Sequence, residues 1–213
     1  MKSQIGYIMF MGASTQQGEE IAIKSRKIVK SLIKDKISGF NLLEIDIMER
    51  IVHSTADIDY ADLVRFSNNF TDIALKSLRA NEDILTDITM VKSGITQYNG
   101  NVECFIKNKD VIAISKENQI TRAAASVEFA SQNDFEGVIV IGNAPTALFK
   151  AIELFNEGKL NVKAIIGVPV GFVAASESKE ELSKSKIPYI ITNGPKGGTP
   201  VAVAAINSLI SKI

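Results

Sequence analysis

The sequence predicts an α/β fold in which a doubly wound parallel sheet of five strands follows extra N-terminal helices. Two observations predict it: apolar residues recur at helical spacing through the first eighty residues, and short apolar runs then alternate with helical segments. Strands that alternate with helices pair in parallel through right-handed crossovers, and the helices cover both faces of the sheet. No internal repeat or long linker divides the chain, so we expect a single domain over residues 1–213.

Three amphipathic helices are predicted first, over residues 21–32, 42–52 and 63–77. In each of them, apolar or small residues recur every three to four positions, as they do on one face of a helix. Ser25 lies within the apolar stripe of the first helix, where a small polar side chain is either a packing compromise or a ligand contact. Packing is the default interpretation for such a residue.

Five buried strands are predicted next, each from a short apolar run. They cover residues 84–88, 102–106, 138–142, 164–168 and 189–192. Helices are predicted over residues 118–132, 145–157, 178–185 and 200–212. Pro145 and Pro200 suit first helical positions, Thr199 is a good N-cap, and Ser178 with Glu181 would form a capping box.

Composition excludes several classes of protein. Hydrophobic residues make up 46% of the chain and charged residues 23%, which is typical of globular proteins and not of disordered ones. The formal net charge is zero, so nucleic acid is not an expected partner. The longest apolar stretch, residues 164–175, is too short to span a membrane, and glycine and proline interrupt it.

The cysteine content and the first residues bear on the cellular compartment. Cys104 is the only cysteine, so an intrachain disulfide and a thiolate metal site are excluded, and the reducing cytoplasm fits best. Residues 2–14 resemble a short signal peptide, but the basic region in front of their apolar run is one residue deep. We interpret them as an ordinary first segment of the fold.

The loops that follow the predicted strands form the expected ligand-binding edge, because ligands of open parallel sheets bind at the carboxyl ends of the strands. Glycine lets the backbone approach a ligand closely, and the N-terminus of a helix offers free N–H groups to anions. Any single loop of this kind could be only a tight turn, but three on one edge favour a site for a ligand with several carboxylates or phosphates. The candidate ligand contacts are Thr89, Asn143, Gly171, Gly197, Gly198 and Thr199.

His53 and Arg122 are candidate functional residues near helix ends. His53, the only histidine, follows a helix end near Val52 whose dipole favours an imidazolium able to donate a proton. Arg50, one turn earlier, opposes that charge, and the sequence leaves the balance open; a histidine that only caps the helix is the alternative. Arg122 lies in the first turn of its helix, where a cation opposes the dipole, so it either meets an anion or is an ordinary surface arginine.

Common cofactor motifs are missing from the sequence. It contains no G-x-G-x-x-G, no G-x-x-x-x-G-K-[ST] and no G-x-S-x-G string. With one cysteine and one histidine, a protein-bound metal would need mostly carboxylate ligands, and no convincing set of them is present. We therefore expect no resident cofactor and no metal site.

Several strings resemble the precorrin-8X methylmutase family closely and over nearly the full chain. The clearest are GNAPTALF at 142–149, GVPVGFVAASESKEEL at 167–182 and KGGTPVAVAAINSL at 196–209, with ERIVHSTAD, LTDITMVKSGI and ITRAAAS in the same order before them. The resemblance implies an isomerase of corrin (vitamin B12) biosynthesis. Such an enzyme moves a methyl group from ring carbon 11 to ring carbon 12 of precorrin-8X or cobalt-precorrin-8, giving hydrogenobyrinate or cobyrinate.

The resemblance also implies roles for individual residues. His53 matches the family's catalytic histidine, and Ser25 and Arg122 match its substrate contacts, with Arg122 and the loop N–H groups expected to receive the acetate and propionate arms of the tetrapyrrole. It implies a flavodoxin-like fold and a homodimer with the active site near the subunit interface. Arg26 departs from the family, which often has phenylalanine there, and this leaves the packing beside Ser25 open. Thr199 stands where serine is common.

Two other functions stay open at this point. One is a non-catalytic flavodoxin-like protein that only carries a tetrapyrrole, and the other is an interaction protein that uses its apolar N-terminal helices. Neither accounts for His53, Arg122 and the glycine-rich loops together. The sequence does not decide whether the substrate already contains cobalt.

Overall fold

A computed structural model describes residues 15–213 as an α/β fold, with a six-stranded, mostly parallel mixed sheet flanked by helices. The segment predicted at residues 2–14 lies outside the described residues. The helices are α1 (Gln16–Ile33), α2 (Leu42–Thr55), α3 (Tyr60–Leu63), α4 (Phe70–Arg79), α5 (Thr89–Gly94), α6 (Lys109–Glu117), α7 (Arg122–Gln132), α8 (Pro145–Asn156), α9 (Ala175–Lys184) and α10 (Thr199–Ile210). The strands are β1 (Val64–Phe66), β2 (Asp83–Thr86), β3 (Val102–Glu103), β4 (Glu136–Ile141), β5 (Asn161–Gly167) and β6 (Tyr189–Thr192).

The five predicted strands are all present and parallel, and the sixth strand is a correction to the sequence prediction. The sheet order is β1-β6-β5-β4-β2-β3, with β1 antiparallel to β6 at one edge. Counted along the chain, the five parallel strands β2, β3, β4, β5 and β6 stand in the order 2-1-3-4-5. Their carboxyl ends share one edge, which brings together the loops that contain the candidate ligand contacts, at residues 87–90, 142–146, 167–171 and 193–199.

The helix predicted over residues 63–77 is wrong in its first part. Helix α3 ends at Leu63, residues 64–66 form β1, and a helix begins again only at Phe70. The free edge of β6 pairs with this segment, Val64 with Thr192 and Phe66 with Ile190. Alternating positions in a short apolar run fit a strand as well as a helix, so tertiary pairing decides which one forms.

Three helix boundaries also differ from the prediction. The predicted helix at 118–132 begins at Arg122, because Gln119 has a left-handed φ of 52° and Thr121 accepts the cap hydrogen bond from the N–H of Ala124. The capping box at Ser178 is wrong, since α9 begins earlier and the buried Ser178 hydroxyl donates to the Ala175 carbonyl. Gly198, not Thr199, is the N-cap of α10. Helices α5 and α6 were not predicted.

The sheet separates two apolar cores, and its residues alternate between them. Val138 and Val140 of β4 face one core, and Ile139 and Ile141 of the same strand face the other. Helices α1, α2, α4 and α10 cover the first face, and α7, α8 and α9 cover the second. This arrangement explains why the central strands are continuously apolar. In the described part of the chain, no helix is long and apolar enough to cross a bilayer.

Candidate active site

His53 and Ser25 meet on the first face of the sheet. Ser25 lies in the middle of α1 and His53 in the last turn of α2, and the Ser25 hydroxyl oxygen is 2.7 Å from Nδ1 of His53. Both residues line an open cavity of about 500 Å³. The rest of the lining is almost entirely apolar: Ile21, Ile28, Val29, Leu32, Val52, Ala56 and Ile58, with Lys24. The pair and Lys24 are therefore the polar side chains of a mostly apolar cavity.

The local sequence fixes where α2 begins and ends, and so where His53 lies. Asn41 and Glu44 form a capping box at its start. At its end, the hydroxyl of Thr55 donates to the Ile51 carbonyl at 2.8 Å, and Ala56 takes a left-handed conformation that stops the helix. The negative end of the helix dipole falls beside His53, where it favours a cation.

Arg26 docks α1 against α2, which settles the packing that its departure from the family left open. Its Nε donates to Glu49 at 3.1 Å, and its guanidinium also pairs with Asp46. Both carboxylates are buried, and Asp46 accepts a second hydrogen bond of 2.5 Å from the hydroxyl of Ser208. Burial raises the pKa of Glu49, and Arg26 opposes that effect. This cluster fixes the register between the helices that places Ser25 beside His53.

The segment after His53 lies against the loop formed by residues 193–199. Lys196 donates to the carboxylates of Asp57 and Asp59 at 2.7 and 2.9 Å, and the hydroxyl of Tyr60 donates to the Gly197 carbonyl at 3.2 Å. The hydrogen bond from Lys196 lowers the pKa of Asp57. These contacts bring the predicted histidine and the predicted loop to the same end of the molecule.

Lys179 of α9 supports loop 193–199 from the protein interior. It is buried and donates to the Lys196 carbonyl at 2.8 Å and to the Thr192 hydroxyl at 3.2 Å. Burial lowers its pKa to about 8. Sequence reasoning missed this residue, because a lysine in a helix is read as a solvated side chain until the packing is known.

Gly197 and Gly198 are glycines that the geometry requires. A Cβ on Gly197 would lie 2.3 Å from the Val168 carbonyl oxygen, so the loops after β5 and β6 approach too closely for any side chain. Gly198 has a φ of +116°, which L residues rarely adopt. Its N–H donates to Val168, and the N–H of Gly171 donates to the Pro195 carbonyl. The two loops are thereby fastened together.

Asp87 binds the backbone of the loop formed by residues 142–146, and this role was not predicted. Its carboxylate accepts hydrogen bonds from the N–H groups of Gly142, Asn143 and Ala144 at 3.1, 2.7 and 2.7 Å. Burial raises its pKa, although the three donors oppose the rise. These N–H groups are occupied by the protein's own anion, so any contact of Asn143 with a ligand falls to its exposed side chain.

Arg122 and Thr89 are not among the residues that line the cavity of the His53–Ser25 pair. Arg122 is exposed at the start of α7, and the preceding Thr121 hydroxyl lies 2.7 Å from that of Thr146, which places Arg122 at the Asp87 side of the edge. Thr89 is exposed at the start of α5. Within residues 15–213, no group of three or more His, Cys, Asp or Glu side chains could hold a metal ion.

Comparison with known proteins gives a consistent result. The family model described as precorrin-8X methylmutase matches residues 20–212. The cobalt-precorrin-8 methylmutase of Methanothermobacter thermautotrophicus is 56% identical over 201 residues, covering 94% of this chain and 96% of that protein. That of Methanocaldococcus jannaschii is 49% identical over 205 residues, covering 94% and 97%. The solved precorrin-8X methylmutase of Thermus thermophilus superposes with a TM-score of 0.80 at 32% identity, covering 90% of this chain and 94% of that one.

Proposed function

The chain belongs to the precorrin-8X methylmutase family, and on that premise we propose how its site performs the reaction. It is a methylmutase, an isomerase of cobalamin biosynthesis that acts on a corrinoid tetrapyrrole. The proposed reaction moves a methyl group from ring carbon 11 to ring carbon 12. The observation that carries the mechanism is the His53–Ser25 pair in the wall of an apolar cavity.

His53 acts as the general acid in this proposal. The bond between the methyl group and carbon 11 breaks as the bond to carbon 12 forms, so no external methyl donor takes part. A proton from Nε2 of His53 to a ring nitrogen or to the conjugated system stabilises the rearranging electrons, and it returns when conjugation is restored. Ser25 accepts from Nδ1–H of the imidazolium and holds the ring in orientation. Its role is thus partly to position the acid.

The macrocycle lies in the cavity with one edge over His53. The apolar side chains of Ile21, Ile28 and Ile58 offer it a contact surface, and the arms extend toward loop 193–199. There, Gly197 and Thr199 supply backbone N–H groups at the start of α10, whose N-cap provides no side-chain hydrogen bond. Gly198, whose N–H is bonded to the Val168 carbonyl, contributes only the close approach of its backbone. Thr89, Asn143, Gly171 and Arg122 are proposed as contacts of the more distant arms.

A second copy of the chain closes the open side of the cavity in this proposal. Ile21, Ile28 and Leu32 of α1 keep 62%, 50% and 53% of their surface exposed, although they are large and apolar. Exposed apolar patches of this kind mark interaction surfaces. Sedimentation of the ligand-free protein tests this, since a monomer at all concentrations would contradict it.

The strand order and the cysteine content support two further parts of the proposal, the architecture and the cellular compartment. The order 2-1-3-4-5 of the parallel strands is that of flavodoxin-like doubly wound sheets, and we assign the chain to that architecture with β1 as an added edge strand. Cys104, as the only cysteine, has no partner for an intrachain disulfide, which supports a cytoplasmic enzyme.

Single-turnover conversion tests the proposed function. Purified protein, in excess over substrate, is mixed with either the metal-free or the cobalt-loaded substrate. The absorbance of the rearranged corrin is then followed. We expect conversion of both, and faster conversion of the cobalt form, because the two relatives above are named cobalt-precorrin-8 methylmutases. Spectral binding without conversion would instead support a tetrapyrrole carrier.

A further inference from the structure

Lys24 is a cation in the wall of the cavity that holds Ser25 and His53. The α1 residues that line this cavity recur at three- to four-residue spacing and form one stripe: Ile21, Lys24, Ser25, Ile28, Val29 and Leu32. Apolar side chains occupy the stripe except at Lys24 and Ser25. Ser25 is explained by its contact with His53, so Lys24 is the polar position that still requires a reason.

Two of the other three cations of α1 pair with carboxylates of α2, and the third, Lys27, does not line the cavity. Arg26 pairs with the buried Asp46 and Glu49, and Lys30 lies 3.8 Å from a Glu49 oxygen. Lys24 has no hydrogen bond or ion pair with another residue of the described range 15–213. The described residues that line the cavity include no acidic side chain. Its ammonium group is therefore available to an anion that enters from solution.

We propose that Lys24 binds one carboxylate arm of the tetrapyrrole and thereby sets how far the macrocycle slides over His53. This inference rests on the proposed function and adds a binding residue to it. An ammonium group supplies three hydrogen-bond donors on a flexible stem, which suits a carboxylate whose exact position varies. Ile21 and Ile28 lie one turn to either side of Lys24 on the same stripe, so a macrocycle bound against them would cover the pair and strengthen the charge-assisted bond.

Two matched variants test the proposal. Lys24→Met keeps the apolar stem and removes the charge, and Lys27→Met makes the same change at an exposed α1 position that does not line the cavity. We expect Lys24→Met to raise KM, and the dissociation constant of the rearranged product measured by absorbance titration, about tenfold, with kcat changed less than about threefold. Lys24→Arg should recover most of the affinity, and Lys27→Met should match the wild type.

Several results would overturn the role of Lys24. Equal KM and product affinity for Lys24→Met and Lys27→Met is one, and a fall in kcat at unchanged KM is another. A shift of Lys24→Met toward monomer in sedimentation would also overturn it, because Lys24 would then pair with the second copy. Failure of the wild-type protein to convert substrate would instead count against the proposed function, and the product titration would still decide whether Lys24 binds a carboxylate.

Discussion

Loops 142–146 and 193–199 lie on the same edge of the sheet and have similar sequences, yet they are held in opposite ways. Each contains glycine and leads into a helix with proline in its first turn, and neither N-cap residue, Ala144 or Gly198, caps its helix with a side chain. In the first loop the N–H groups bind the Asp87 carboxylate. In the second, Lys179 and Tyr60 donate to the carbonyls of Lys196 and Gly197, and the Gly198 N–H donates to a backbone carbonyl and not to a carboxylate.

This difference divides the edge into a structural half, around loop 142–146, and a reactive half, around loop 193–199. A loop whose donors already bind an internal carboxylate has little left to offer a ligand anion, and its glycines serve the turn. Within residues 15–213, the N–H groups of Asn193 and Gly198 in the second loop donate to backbone carbonyls and none binds a carboxylate, so the Thr199 N–H at the start of α10 stays available to a ligand. This loop is also the one fastened to the segment that follows His53. Glycine content alone does not distinguish the two loops. The hydrogen-bond partners of their backbone groups do.

The largest expected effect is on the reactive half. Replacing His53 by alanine should lower kcat by roughly a hundredfold to ten-thousandfold, the range that general acid catalysis supplies. Binding of the rearranged product should persist, because the arms of the tetrapyrrole make most of the contacts. Stopped-flow turnover and absorbance titration measure the two quantities separately.

Ser25 and the pH profile sharpen the test of His53. Ser25→Ala should lower kcat by about tenfold with a smaller change in KM, because in the proposed mechanism the serine that contacts His53 orients the acid. The acid must be protonated to act, so the wild-type kcat should fall toward alkaline pH. A His53→Ala protein with wild-type kcat and the same alkaline fall would show that another group is the acid.

The next effect, on stability, concerns the structural half. Replacing Asp87 by alanine leaves three N–H groups without their acceptor, two of them on buried residues, and should lower the free energy of unfolding by about 3 kcal/mol. Asp87→Asn keeps one acceptor oxygen and should lose less. Urea denaturation measures both, with the exposed Asp35→Ala as a control. If folded Asp87→Asn protein lost most of its kcat while keeping its stability, Asp87 would belong to the reactive half.

The sequence predicted the five parallel strands because each lies in a short, mainly apolar run. It missed β1 because Val64–Phe66 continues an apolar spacing that also fits a helix. Similarly, resemblance to the family identified His53 and Ser25, whose direct contact the structure then supplied. Asp87 was overlooked although it directly follows β2, since a carboxylate at that edge suggests a ligand and its partners are 55 to 57 residues away. Lys179 and Arg26 depend on packing between helices, which no local pattern encodes.

Lys179 offers a test of how the reactive loop is held. Lys179→Met removes the hydrogen bond to the Lys196 carbonyl of loop 193–199 and the one to Thr192 at the end of β6. We expect product affinity to fall about fivefold to tenfold, from a lost net hydrogen bond of about 1 kcal/mol and a less ordered loop. Lys179→Arg keeps the charge and donors and should retain more affinity. Unchanged affinity in a folded Lys179→Met protein would mean that Tyr60 and Val168 are sufficient to hold the loop.

The same variant has a pH signature of definite sign. Burial lowers the pKa of Lys179 in the folded protein to about 8, below the ordinary lysine value of 10.5, so between these two pH values the unfolded chain binds the extra proton. The free energy of unfolding of the wild type should therefore increase relative to that of Lys179→Met as pH rises from about 8 to 10. Lys212, whose pKa burial also lowers to about 8, is present in both proteins and cancels in the difference. A difference in unfolding free energy that stays constant over this pH range would contradict the burial of a charged lysine.

The smallest effect is expected at Arg122, on the structural half. Its guanidinium is exposed, so an ion pair with a substrate arm contributes about 0.2–1 kcal/mol and Arg122→Ala should raise KM by roughly twofold to fivefold. A contact far from the migrating methyl group binds the ground state and the transition state alike, and kcat should therefore stay near the wild-type value. Initial-rate kinetics at low and high salt measure this. Salt should raise the KM of the wild type more than that of the variant, because it screens the ion pair. A large loss of kcat at unchanged KM would place Arg122 in the chemical step, and the division of the edge into a structural and a reactive half would then fail.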